Sequence, residues 1–118
     1  MTVQECYEKI GADYGEVIRR LGNEERVKKF LLKMLEESSF LDLCEAVTSG
    51  NTAEAFRAAH SLKGICLNLG ITPLAESSSA LTESLRDGVV PENLAALFGR
   101  VEKDYTRTLS AIRELISA

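Results

Sequence analysis

His60 is the only histidine in the 118 residues, and its neighbours at helical spacing suggest chemistry. They are Arg57 three residues before it, Lys63 three after, Gly64 four after and Leu67 seven after. A neutral imidazole nitrogen exposed to solvent can attack phosphorus in line and take a phosphoryl group onto the ring. Cationic side chains within one turn, Arg57 and Lys63, would draw that group in and neutralise its oxygens. Gly64 needs its own explanation, because glycine inside a helix costs about 1 kcal/mol relative to alanine. One explanation is clearance, so that a large partner can bring its reacting group to the ring. The other is close packing of two helices. Periodicity leaves both open.

No other reactive constellation competes. Cys6, Cys44 and Cys66 are far apart and form no CxxC pair, so they read as small, reduced, partly buried side chains. One histidine cannot supply the paired Glu-x-x-His sets of a di-iron bundle, nor a second base for a serine or cysteine nucleophile. No GxxxxGK or GxGxxG loop is present, so no ATP site is expected. The carboxylates are spread as solvated helix faces, and no metal of the chain's own is expected.

The elements that must carry His60 are helical throughout. The first twenty-two residues read as two short helices broken near Gly11. Asn23 then caps a segment running to Ser49, with Val27, Phe30, Leu31, Met34, Leu35, Leu41, Cys44 and Val47 as its apolar positions. Steps of three and four predict one long helix there, or two in near-continuous register. Gly50 stops it, and Asn51-Thr52-Ala53-Glu54 resembles a capping box. The next helix buries Ala55, Phe56, Ala59, Leu62, Cys66 and Leu69, which leaves His60 beside the buried stripe and displaced toward water. After Gly70, Thr72 reads as a cap with Pro73 at the first helical position. That helix carries Leu74, Ser78, Leu81 and Leu85 and stops at Asp87-Gly88. Pro91 opens a last helix with Leu94, Phe98, Val101, Tyr105, Leu109, Ile112 and Ile116 on one face.

Four amphipathic helices joined by short loops bury their stripes most simply as an antiparallel up-down-up-down four-helix bundle. The expected fold is therefore all-α, one domain over residues 1–118, with a short N-terminal helical extension. Hydrophobic residues make up 45% of the chain, enough for a core at this length. A net charge of −4 makes nucleic acid a poor partner. No apolar run approaches the roughly 18 residues of a bilayer span, and the start lacks the basic cap and apolar stretch of a secretory signal. The expectation is a soluble, cytoplasmic, stand-alone monomer.

The segment His60-Ser61-Leu62-Lys63-Gly64, followed by Asn68-Leu69-Gly70, resembles the HxLKG…G signature of histidine-containing phosphotransfer (HPt) domains. Ala58-Ala59 resembles that family's alanine-rich approach to the histidine, and Gly50-Asn51 its usual turn. Leu74, Leu81, Leu85, Arg86 and Gly88 resemble its following helix and helix end, and Gly11 to Phe30 is similar to a leading segment often seen in it. The resemblance implies a four-helix bundle that shuttles a phosphoryl group between receiver-domain aspartates in a multistep two-component phosphorelay. It implies His60 as phospho-acceptor, Lys63 as phosphate neighbour, Gly64 as docking clearance and Leu62 as core; Arg57, by its spacing from His60 and not by the resemblance, is a second candidate neighbour of the phosphate. The partners implied are receiver domains of response regulators or hybrid histidine kinases, with Mg2+ held by the receiver. Ile65, Cys66 and Leu67 depart from the small residues common in the family. Leu67, on the His60 face, either extends an apolar docking patch or narrows access. The alternative function is a helical interaction module that binds a receiver or kinase partner without being phosphorylated.

Overall fold

The computed structural model describes residues 1–117 and is helical, with seven helices and no strand among them. They are α1 (Val3–Ile10), α2 (Tyr14–Leu21), α3 (Glu24–Lys33), α4 (Ser39–Ser49), α5 (Thr52–Leu69), α6 (Thr72–Leu85) and α7 (Leu94–Ile116). α4 to α7 form the bundle. α5 packs against α4 on one side and α6 on the other, and α6 packs against α7. The ring closes through aromatic side chains: Phe40 of α4 stacks on Tyr105 of α7 at 4.0 Å between ring centroids and on Phe98 at 6.2 Å.

The predicted helix from Glu24 to Ser49 is broken into two, so the N-terminal extension has three helices and the first bundle helix begins at Ser39. The cause is local competition for backbone groups. Residues 34–37 tighten into i→i−3 hydrogen bonds, from Met34 N–H to Leu31 O through Glu37 N–H to Met34 O. The Glu37 carboxylate then accepts the Ser39 N–H at 2.9 Å and the Ser39 hydroxyl at 2.5 Å. The break re-phases the apolar stripe. Phe40, Leu43 and Ala46 face the core, while Leu41, expected inside, is 66% exposed.

Smaller departures have equally local causes. Asn51 caps α5 by accepting the Glu54 N–H at 3.1 Å, but the Glu54 carboxylate turns to Arg57 instead of completing a capping box. Thr72 is the first residue of α6 and not its cap; the flanking residue is Ile71, which supplies no side-chain bond. Pro91 stands in the turn before α7, which begins at Leu94. At the end of α7 the core position is Leu115, and Ile116 is exposed. A capping box forms at the chain's start, where Thr2 Oγ1 accepts the Glu5 N–H and the Glu5 carboxylate accepts the Thr2 N–H.

The extension is fastened to the C-terminal end of α5, where a helix has carbonyls without intrahelical donors. The buried Tyr7 hydroxyl donates to Leu69 O at 2.6 Å, Arg20 donates to Leu67 O, and Asp13 N–H donates to Gly70 O at 3.2 Å. Gly70 has φ +66°, and a Cβ there would lie 3.1 Å from the Asp13 carbonyl oxygen. Both the left-handed backbone and the close approach favour glycine.

Tyr7 therefore offers a clean test of that fastening. Tyr7→Phe leaves the Leu69 carbonyl without its buried donor and is expected to cost about 1–3 kcal/mol in urea unfolding, with helicity by circular dichroism retained.

Candidate functional site

α5 is built so that one line of its surface stays in water. Ala55, Ala58, Ala59, Leu62, Cys66 and Leu69 are buried between α4 and α6, and the adjacent line carries the exposed residues His60, Gly64 and Leu67. Small alanines let the flanking helices close over one face without covering the other. Leu67 is 52% exposed, an apolar side chain one turn beyond Gly64.

The structure separates the two cations that flank His60 in sequence. Arg57 is tied to Glu54 at 2.8 Å and is 71% exposed. It lines a polar groove with Asp42 and Glu45 of α4 and with Ser61. Lys63 is half-buried and takes part in no ion pair among the described residues. It lines a groove of about 590 Å³ with Leu67 of α5, Ala75 and Ser79 of α6, and Arg20 of α2. Of the two cations, Lys63 is the one whose ammonium is not already engaged by a carboxylate.

Gly64 is exposed, and a Cβ built on it meets nothing within 4 Å. No neighbouring helix presses on this position. Of the two explanations for a mid-helix glycine, close helix packing is thus removed, and open space over the helix is what remains.

Three residues that sequence reasoning did not assign to the site lie around His60. The Phe56 ring, one turn earlier, stacks on the imidazole with centroids 6.1 Å apart and planes 10° from parallel. The Arg86 guanidinium of α6 stands 5.3 Å from the Phe56 ring centroid. Arg86 in turn grips Glu83 at 2.7 Å. The Arg86 hydrogen bond, followed by the charges of Arg86, Lys63 and His60, holds the Glu83 carboxyl below its ordinary range. Phe56 was legible as an i−4 neighbour but read as core. Glu83 and Arg86 could have been found only by counting outward from the two-residue turn at Gly70-Ile71, which sets the C-terminal end of α6 near the middle of α5.

The cysteines sit apart from this surface chemically. Burial pushes the Cys66 thiol up to about 12, and burial with the Glu114 charge pushes Cys6 up to about 11. Both stay protonated at neutral pH and pack as apolar groups. Among the described residues no three His, Cys, Asp or Glu side chains converge as a metal site would require. No helix of the described residues is long and apolar enough to cross a membrane. A mostly apolar cavity of about 350 Å³ lies separately between α2, α3 and α5, bounded by Phe30, Met34 and Ile65.

Fold and site together define a helical bundle that holds a solvent-facing histidine, with a lysine on its flank, midway along the central helix. The family model of the Hpt domain matches residues 29–118, and the chain belongs to that family. It is accordingly a phosphotransfer module of two-component signalling, a kind of domain that works with receiver domains. No curated protein and no solved structure matches the chain significantly. The family match leaves out residues 1–28, and with them α1, α2 and most of the leading segment from Gly11 to Phe30.

The open space at Gly64 gives a direct expectation. Gly64→Ala should stabilise the fold by about 0.5–1 kcal/mol in urea unfolding, because helix propensity improves and nothing is displaced. A packing role would instead make the same substitution destabilising.

Proposed function

We propose that this protein is a phosphocarrier in a multistep phosphorelay, accepting a phosphoryl group on His60 from a receiver-domain aspartate and passing it to another receiver. The observation that carries this reading is the imidazole standing in water at the middle of α5, with Lys63 beside it and free space above Gly64. In the transfer, an exposed ring nitrogen attacks the phosphorus of the aspartyl phosphate. A P–N bond forms as the P–O bond to the carboxylate breaks, and the reverse sequence delivers the group onward. Lys63 is the residue proposed to neutralise the phosphoryl oxygens. Arg57, held by Glu54, is a second cation that would have to leave its partner to contribute.

The chain's part is positioning. Under this reading it neither uses ATP nor holds a metal, and the Mg2+ that the transfer needs is bound by the receiver's acidic pocket. The protein acts as a cytoplasmic monomer formed by one domain over residues 1–118, with Leu67 extending the surface on which the receiver sits.

Incubation with phosphorylated receiver domains tests the proposal. Acid-labile, base-stable label is expected on the wild-type chain. His60→Gln should abolish it with unchanged circular dichroism, since His60 lies outside the core. Receiver binding without any label would favour the non-phosphorylated interaction module instead. Gly64→Gln separates clearance from chemistry: transfer from a receiver should slow by about tenfold or more, because a misplaced partner loses near-attack geometry. Labelling by the small donor phosphoramidate, which needs no docking, should persist.

A further inference from the structure

The Glu83–Arg86 pair is a surface feature, with both side chains more than half exposed. Arg86 donates from Nε to one carboxylate oxygen at 3.1 Å and from a terminal nitrogen to the other at 2.7 Å. A lone exposed pair at i,i+3 spacing is held weakly and is readily exchanged. This one is not alone. Its guanidinium also stands 5.3 Å from the centroid of Phe56, the ring stacked on the His60 imidazole. Glu83 is close enough to His60 and Lys63 for their charges to act on its carboxyl, after the stronger effect of Arg86 itself. One carboxylate and two cations thus lie in the neighbourhood of the ring before any phosphoryl group arrives.

A phosphoryl group on the ring changes that balance. It brings close to two negative charges and three strong acceptor oxygens, against the single charge of Glu83. Arginine recognises such a group with two parallel N–H donors, the same geometry it now spends on Glu83. The Phe56 face offers the guanidinium a surface to move across without losing its contact with the ring.

Resting on the reading of His60 as the phospho-acceptor, we infer that phosphorylation makes Arg86 exchange partners, leaving Glu83 for the phosphoryl group on His60. Arg86 is then a second positioning cation beside Lys63. Glu83 is a counter-charge that shortens the life of the phosphorylated state.

Phosphoramidate labelling of the full chain tests the exchange without any receiver. The ring nitrogen forms a P–N bond as the bond from phosphorus to ammonia breaks. Ammonia departs, and the other ring N–H loses its proton to water. The resonance of the Arg86 Nε–H group is followed by NMR, and loss of label is timed after the donor is removed. The expected result is a shift of the Arg86 signal on labelling. Loss of label should be roughly two- to fivefold slower in Glu83→Gln and faster by a similar factor in Arg86→Gln, the size of effect an exposed charge exerts on a neighbour. A labelled protein whose Arg86 signal stays in place overturns the exchange while leaving the phosphocarrier reading intact. So does an Arg86→Gln variant that keeps its label as long as wild type. Failure to label His60 at all overturns both.

Discussion

The structure depends on α5 being buried along one side by two neighbours and left bare along the other. Ala55, Ala58 and Ala59 let α4 and α6 approach closely, while Leu62, Cys66 and Leu69 supply apolar surface deeper in the core. A helix clasped this way has its rotation about its own axis fixed, because turning it would expose the alanine stripe and bury charged side chains. His60, Gly64 and Leu67 are therefore held outward by hydrophobic packing on the opposite side of the helix. The orientation of the imidazole is a consequence of the core.

The C-terminal end of the same helix is secured by the extension. Tyr7, Asp13 and Arg20 satisfy carbonyls at Leu69, Gly70 and Leu67, groups that an isolated helix end would leave to water. These contacts come from residues outside the stretch that matches the Hpt family, yet they fix the last turn of the helix that carries the site. α1 is held from the other side by Lys9, which pairs with Glu114 of α7 at 2.8 Å, and by Arg107, which donates to the Lys9 carbonyl at 2.9 Å. α2 also forms one wall of the groove that Lys63 lines. The extension and the bundle thus share both a core and a surface.

Charge is distributed to the same end. Among the described residues most of the ion pairs are local, at i,i+3 or i,i+4 spacing, and each of these ties an arginine to a glutamate about one turn away. Individually such pairs contribute little to stability. Around His60 they engage Arg57 and Arg86, while Lys63 is in no ion pair among the described residues. Arg57 and Lys63, equivalent by sequence spacing, become unlike once Glu54 engages one of them.

The sequence alone determined what depends on neighbours a turn or two away. The all-helical class follows from apolar steps of three and four. Glycines 11, 50 and 70 mark helix ends because each needs a left-handed backbone. His60, Lys63 and Gly64 share a face because they share a helix. The break between Glu24 and Ser49 is local as well, with the Glu37 carboxylate accepting the Ser39 N–H and hydroxyl, but apolar spacing does not report it. Tertiary structure decided the rest. It turned Leu41 outward. It showed that the space over Gly64 is empty, and it brought Glu83 and Arg86 from α6 to the edge of the His60 site. Periodicity reports which side of a helix is apolar. Only the packing of one helix on another decides which charges from distant parts of the chain meet there.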